Sequence, residues 1–278
     1  MSSNNQSLAD FASEFSAAVI SGGSSGIGAA FVSLLCRLNP DIRIFNLSRS
    51  KLGAGVPEKN VAFDDGCDLR DPVSLIPALE KVKSGVAEVL GKGRLLLVNN
   101  AGIASYGNTA LSGDNSKDAE ICEVNICAPV RVVSSFTREL LRSKGCVINM
   151  SSTAAFQPTP MLAVYGASKT FILNWSIALG AELEEFGCRV LAVCPGPTDT
   201  KFFKNSNIDV RDLPDKLGPS PAVVAERALE ALRRRRRYCI IGLTNRVLIA
   251  LSGLVPLAFS GKIAYMVMKV SRKTSAQS

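Results

Sequence analysis

The chain contains no histidine among its 278 residues. That one absence removes several kinds of chemistry. No Ser-His-Asp or Cys-His nucleophile can be assembled, and no zincin-type or Cys/His metal site can be completed. Proton transfer must come from Tyr, Lys, Ser, Asp, Glu or Cys. The eight cysteines stand singly, at Cys36, Cys67, Cys122, Cys127, Cys146, Cys188, Cys194 and Cys239, and no two form a C-x-x-C pair. Several lie in apolar runs, where a thiol behaves as a small hydrophobe. Reduced cysteines, no bound metal and a cytoplasmic setting are expected. The stretch Met1 to Asp10 is polar and lacks the basic and apolar regions of a signal peptide.

What is present is the composition of an ordinary globular protein, with 47% apolar and 20% charged residues. Neither a repeat nor a low-complexity linker divides it, so residues 1–278 are expected to form one domain. The formal net charge is +8, and five of the bases form the run Arg233 to Arg237. A positive balance suits a ligand carrying several phosphates, and the Arg run lacks the interleaved aromatics of a nucleic-acid binder.

Short β-rich apolar runs alternate with helical stretches. Expected strands are Ala17 to Ser21, Ile42 to Leu47, a weaker Val61 to Asp64, Arg94 to Asn99, Cys146 to Met150, Cys188 to Cys194 and Tyr238 to Gly242. Expected helices are Gly26 to Arg37, Val73 to Leu90 (with Pro77 and Gly85 inside it), Ser116 to Ser143 with a bend near Pro129, Val164 to Phe186 and Pro221 to Arg236. Near-continuous apolar strands separated by helices imply a parallel sheet covered on both faces, doubly wound, with ligands at the carboxyl ends of the strands. The expected fold class is therefore α/β with about seven strands: a Rossmann-like core over residues 14–242 and an apolar, basic extension over 243–278.

Ser21-Gly22-Gly23-Ser24-Ser25-Gly26-Ile27-Gly28 falls at the first strand-to-helix junction. There the chain must turn sharply and bring backbone N–H groups close to a pyrophosphate, and glycine permits both. The G-x-x-x-G-x-G spacing resembles the short-chain dehydrogenase/reductase family in its classical branch, with Ser21 where that family has Thr. The resemblance covers about residues 14 to 242. It implies that Asp68 and Leu69 contact the adenine, and that Asn99, Asn100, Ala101 and Gly102 form the turn after the fourth strand. It also implies that Pro195, Gly196, Thr198 and Thr200 meet the nicotinamide carboxamide. At the end of the second strand no carboxylate is present to accept from a ribose 2′-hydroxyl. Ser48 and Arg49 stand there instead, which favours NADP(H) over NAD(H).

Tyr165 and Lys169 are four residues apart on an expected helix, hence on one face. Such a pair is common by chance. Here Ser152 lies thirteen residues before Tyr165, the family's spacing, and Asn125 lies on the preceding long helix. Tyr165 is then expected to exchange a proton with substrate, Ser152 to hold the substrate oxygen, and Lys169 to lower the Tyr165 pKa and bind the nicotinamide ribose. The resemblance gives Asn125 a water linking Lys169 to solvent; a helix-kink role is its ordinary alternative. The expected activity is hydride transfer between NADP(H) and a carbonyl or alcohol of a hydrophobic small molecule. A sugar-nucleotide epimerase or dehydratase would need a larger substrate domain. A non-catalytic, redox-sensing NADP(H)-binding protein would be expected to lose Tyr or Lys. A homodimer or tetramer built on the two long helices is expected from the resemblance, and nucleic acid is not an expected partner.

Residues Lys201 to Ser220, with Phe202, Phe203 and Leu213, sit where the family places its substrate lid. Ala154, Phe156, Pro158, Met161 and Leu162 would line the other wall. From Val247 to Gly261 no residue is charged, while Lys262, Lys269, Arg272 and Lys273 flank the apolar run. Pro256, Gly253 and Lys262 argue against a spanning helix. The segment is expected either to close over the pocket or a subunit interface, or to touch a membrane surface peripherally.

Overall fold

The computed structural model describes residues 6–63, 66–107, 115–198, 202, 206, 218–256, 258–262 and 264–266. Asp64, Thr200, Phe203, Leu213, Lys269, Arg272 and Lys273 lie outside them.

Seven parallel strands form one sheet in the order β3-β2-β1-β4-β5-β6-β7. They are β1 (Phe15–Ser21), β2 (Arg43–Leu47), β3 (Val61–Phe63), β4 (Arg94–Asn99), β5 (Cys146–Met150), β6 (Arg189–Cys194) and β7 (Tyr238–Ile240). The strands are short and apolar because both faces are covered. On β1, Ala18 and Ile20 enter one core with Phe31, Leu35, Val224 and Leu232, while Ala17 and Val19 enter the other with Leu75, Val82 and Phe136. Alternate side chains point to opposite faces, so each strand feeds two cores.

The first layer holds α1 (Leu8–Ser13), α2 (Gly26–Leu38) and, out of chain order, α8 (Pro221–Arg233). The second holds α3 (Pro72–Leu90), then α4 (Ser116–Cys122), α5 (Ala128–Ser135), α6 (Thr137–Ser143) and α7 (Ala163–Leu183). Helix α9 (Leu243–Ser252) follows β7, with further helical turns at 258–262 and 264–266.

One local expectation, the helix over 116–143, is corrected; the helix expected over Val73 to Leu90 is present. Helix α3 is continuous through Pro77 and Gly85. A Cβ on Gly85 would come within 2.7 Å of the Phe45 ring, so glycine is what lets α3 approach β2. The expected helix over 116–143 is three helices, with a π-helical turn over Glu123–Cys127 and a break at Phe136; Pro129 only opens α5. The polar N-terminal stretch leads into α1, which is opened by a reciprocal capping box between Ser7 and Asp10.

Candidate active site

Between β1 and β4 the strand order reverses, and a cavity of about 660 Å³ opens beyond the carboxyl ends of the strands there. Its floor is the glycine loop: Gly22, Ser24, Ser25, Gly26 and Ile27 all line it. Gly22 (φ +69°) and Gly26 (φ +56°) hold the left-handed conformation. A Cβ on Gly28 would fall 2.1 Å from the Gly22 carbonyl, so that position needs glycine for room alone. The Ser25 side chain makes no capping bond to the start of α2, leaving this helix N-terminus to face the cavity. Such an end binds a phosphate group, so the residues present fit a dinucleotide.

Polar side chains clamp the loop in place. The Ser21 hydroxyl accepts from the N–H groups of Asn100 (3.0 Å) and Ala101 (3.1 Å), which bridges β1 to the turn after β4. The Asn100 amide donates back to the carbonyls of Ser21 and Gly22. Asn46, fully buried in β2, accepts from the Gly23 N–H at 3.0 Å and donates to Ser48 and to the Ser50 carbonyl. Neither Asn46 nor the clamping role of Asn100 follows from motif reading. The available signal was an asparagine inside an otherwise apolar strand.

At the adenine end of such a site the cavity is lined by Ser48, Arg49, Asp68, Leu69 and Arg70. Arg49 is exposed there. The Ser48 hydroxyl donates to the Ser50 carbonyl. Arg70, missed in the sequence, grips Asp68 with Nε at 3.0 Å and Nη2 at 2.6 Å. That guanidinium, with backbone N–H and the nearby Arg49, holds the Asp68 carboxyl down at about 2. The ion pair is partly open to solvent, so its stabilising effect is small.

At the other end Ser152, Tyr165, Lys169, Pro195, Gly196 and Thr198 line the cavity together with Ala101 and Gly102. Helix α7 is stitched to the segment after β5, which fixes this register. The Ser151 hydroxyl donates to the Lys169 carbonyl (2.7 Å), and the Thr170 hydroxyl to that of Ala155 (3.0 Å). Ser152 caps the short 3-10 turn Thr153–Phe156 by accepting from the Ala154 N–H, and its side chain hydrogen-bonds Tyr165. Lys169, 4% exposed, donates from Nζ to the Met150 carbonyl at 3.0 Å and sits 5.7 Å from the Tyr165 ring centroid.

The electrostatics differ from expectation. Burial pushes the Tyr165 phenol above its ordinary value, and the Ser152 hydrogen bond only partly opposes this. Burial drives the Lys169 ammonium down to about 8, and one of its N–H groups is held by the Met150 carbonyl.

Asn125 lies in the π-helical turn and does not line the cavity. Its amide accepts from the Ile103 N–H and donates to the Ile103 carbonyl and to Ser168, each near 3 Å. These contacts tie the turn to the segment after β4 and to α7. Ser21, Gly28 and Asn99 also stand behind the cavity wall, Asn99 donating to Asn149 at 2.8 Å. Of the expected substrate wall, Ala154 and Leu162 line the cavity with Phe202, whose ring lies 5.6 Å from that of Tyr165, whereas Phe156, Pro158 and Met161 do not. Phe156 leans instead on Tyr238. A second, smaller cavity of about 230 Å³ lies between α9 and the 153–159 segment, sharing Thr153 and Ala154 with the first.

Among known proteins, the short chain dehydrogenase family matches residues 16–211. Short-chain dehydrogenase srdE of Neurospora crassa is 37% identical over 51% of this chain and 48% of its own length. A very-long-chain 3-oxoacyl-CoA reductase of Anas platyrhynchos is 30% identical over 80% of this chain and 71% of its own. The chain thus spans from about half to somewhat over two thirds of these relatives' lengths. A short-chain dehydrogenase from Sphingobium yanoikuyae, solved with NADPH, superposes with a TM-score of 0.70 at 26% identity, covering 86% of this chain and 93% of that one. Other solved chains of the same fold hold NADH or NAD.

Proposed function

The chain belongs to the short-chain dehydrogenase family, and on that premise we propose that it is an NADP(H)-dependent reductase of a hydrophobic ketone or aldehyde. The observation that carries the reading is convergence. One cavity holds a helix N-terminus framed by glycine, a base in place of a carboxylate after β2, and the trio Ser152, Tyr165 and Lys169.

A bound nicotinamide dinucleotide supplies the hydride. The chain's own residues do the rest. The start of α2 and the Gly22–Gly26 backbone hold phosphate. Arg49 pairs with a 2′-phosphate, and Arg70 neutralises Asp68 so that this wall does not repel it. Tyr165 gives a proton to the substrate oxygen as charge develops there, and Ser152, already bonded to Tyr165, orients that oxygen. Ala154, Leu162 and Phe202 exclude water from the substrate end. Asn125 positions Ile103 and the π-helical turn, and through Ser168 it braces α7 beneath Lys169. The outer face of α7 supports pairing with a second copy: Phe171 is 40% exposed and stacks on Trp175.

The test is a fluorescence titration of NADPH and NADH against the wild type and Arg49→Ala. NADPH should bind more tightly, and the variant should lose about tenfold or more for NADPH with little change for NADH. An equal loss for both would reassign Arg49. Binding of neither would remove the premise.

A further inference from the structure

Helix α9 leaves large apolar side chains facing outward. None of its residues is buried. Leu243, Val247 and Leu251 recur at helical spacing and are 76, 52 and 57% exposed, and Leu254 beyond its end is 80% exposed. Phe259, Tyr265 and Met266 continue the exposed apolar surface. The inward side is mixed: Asn245 donates to the Ile241 carbonyl, and Asn245, Leu248, Ile249 and Ser252 line the smaller cavity. An apolar face of this extent needs an occupant.

The charge around it says which. Residues up to Glu230 carry 22 basic and 24 acidic side chains, a balance of −2, whereas the 48 residues after it carry ten basic and no acidic ones. The whole positive excess of the chain falls, in sequence, in the stretch that also carries the exposed apolar residues. Arg236 and Arg246 both act on the Cys239 thiol, which places the Arg run beside the root of α9. Among the described residues no carboxylate pairs with Arg235, Arg236, Arg246 or Lys262. A second copy would bring two equally basic surfaces together. An anionic lipid surface offers acyl chains to the apolar residues and headgroups to the bases. Among the described residues no helix is long and apolar enough to cross a membrane, so the geometry is that of a helix lying on it.

We infer that α9 and the segment following it dock the protein on an anionic phospholipid bilayer. The inference is independent of the oxidoreductase reading. The full chain is floated with vesicles of phosphatidylcholine alone or with about 30% phosphatidylserine added. It should rise with the anionic vesicles at low salt, far less with neutral ones, and be released by salt of about 0.5 M. Val247→Asp combined with Leu251→Asp should weaken binding by about tenfold or more. Arg235→Gln and Arg236→Gln should each weaken it by about fivefold. All variants should keep the wild-type unfolding midpoint and NADPH affinity, since none of these residues lines the larger cavity. The inference is overturned if the full chain stays at the bottom with both vesicles, or if the double Asp variant floats like the wild type. It is equally overturned if, without lipid, that variant turns a wild-type oligomer into a monomer, which would assign the face to a second copy.

Discussion

Tyr165 and Lys169 share one helix face but opposite electrostatic fates. Burial raises the phenol and lowers the ammonium, so near neutral pH the pair is a protonated phenol beside a lysine that is a cation only below about pH 8. Tyr165→Phe keeps the ring against Phe202 and removes only the proton carrier. NADPH affinity should persist while single-turnover reduction slows by about 10²–10⁴-fold; an unchanged rate would move the acid elsewhere. For Lys169 the sign follows from linkage. Its folded pKa, about 8, lies below the unfolded value of about 10.4, so the unfolded chain binds more protons between those limits. The cost of burying the cation is complete below pH 8 and disappears as pH rises toward 10.4. Chemical denaturation of wild type and Lys169→Met across pH 7 to 10.5 should therefore shift relative stability toward the wild type by on the order of 3 kcal/mol. A pH-independent difference would mean the ammonium is not desolvated. The spacing of Ser152, Tyr165 and Lys169 was legible because helix geometry fixes it. The direction of the Tyr165 shift was not, since it depends on enclosure by segments far apart in sequence. The Arg70–Asp68 grip was equally hidden, because a base two residues after an acid has no fixed direction in a loop.

Elements record where local pattern and tertiary contact disagree. Gly85 looked like a weakness in α3, yet it is where the fully buried Phe45 ring touches the helix. Gly85→Ala should gain about 1 kcal/mol in helix propensity and lose about 1–3 kcal/mol by overpacking that ring. The unfolding midpoint is expected to fall, whereas Ser84→Ala, on the exposed side, should leave it level or slightly higher; a rise for Gly85→Ala would show that Phe45 moves aside freely. The strands were readable nearly to the residue, because burial on both faces writes a continuous apolar run. The π-helical turn was not, since the Asn125–Ile103 bonds that accompany it join residues 22 apart. Helix α1 did carry a local sign, Ser7 and Asp10 at capping-box spacing, but its six residues are too short to show a period.

Over the whole molecule the two ends of the sheet differ in character. The carboxyl ends open into the cavity. The amino ends are tied by Arg94, which bonds Glu14 and the Lys144 carbonyl, and by Arg189, which lies over the Phe11 ring and reaches the Arg233 carbonyl. Alternation of strands and helices was enough to expect the doubly wound sheet, and the apolar run after Val247 was visible as an anomaly. Its outward orientation was not, because periodicity shows that a helix has an apolar side without saying which way that side faces. The sheet order also has a consequence for how the chain is made. Strand β1 lies between β2 and β4, and the clamp that completes the glycine loop joins Ser21 to Asn100, 79 residues later. At a synthesis rate of about 5–20 residues per second, one edge of β1 waits about 4–16 seconds for its partner, with unpaired backbone groups flanked by mostly apolar side chains. During that interval the nascent chain is a candidate for chaperone capture, and no dinucleotide can shelter it, because the second wall of its site has not yet been synthesised.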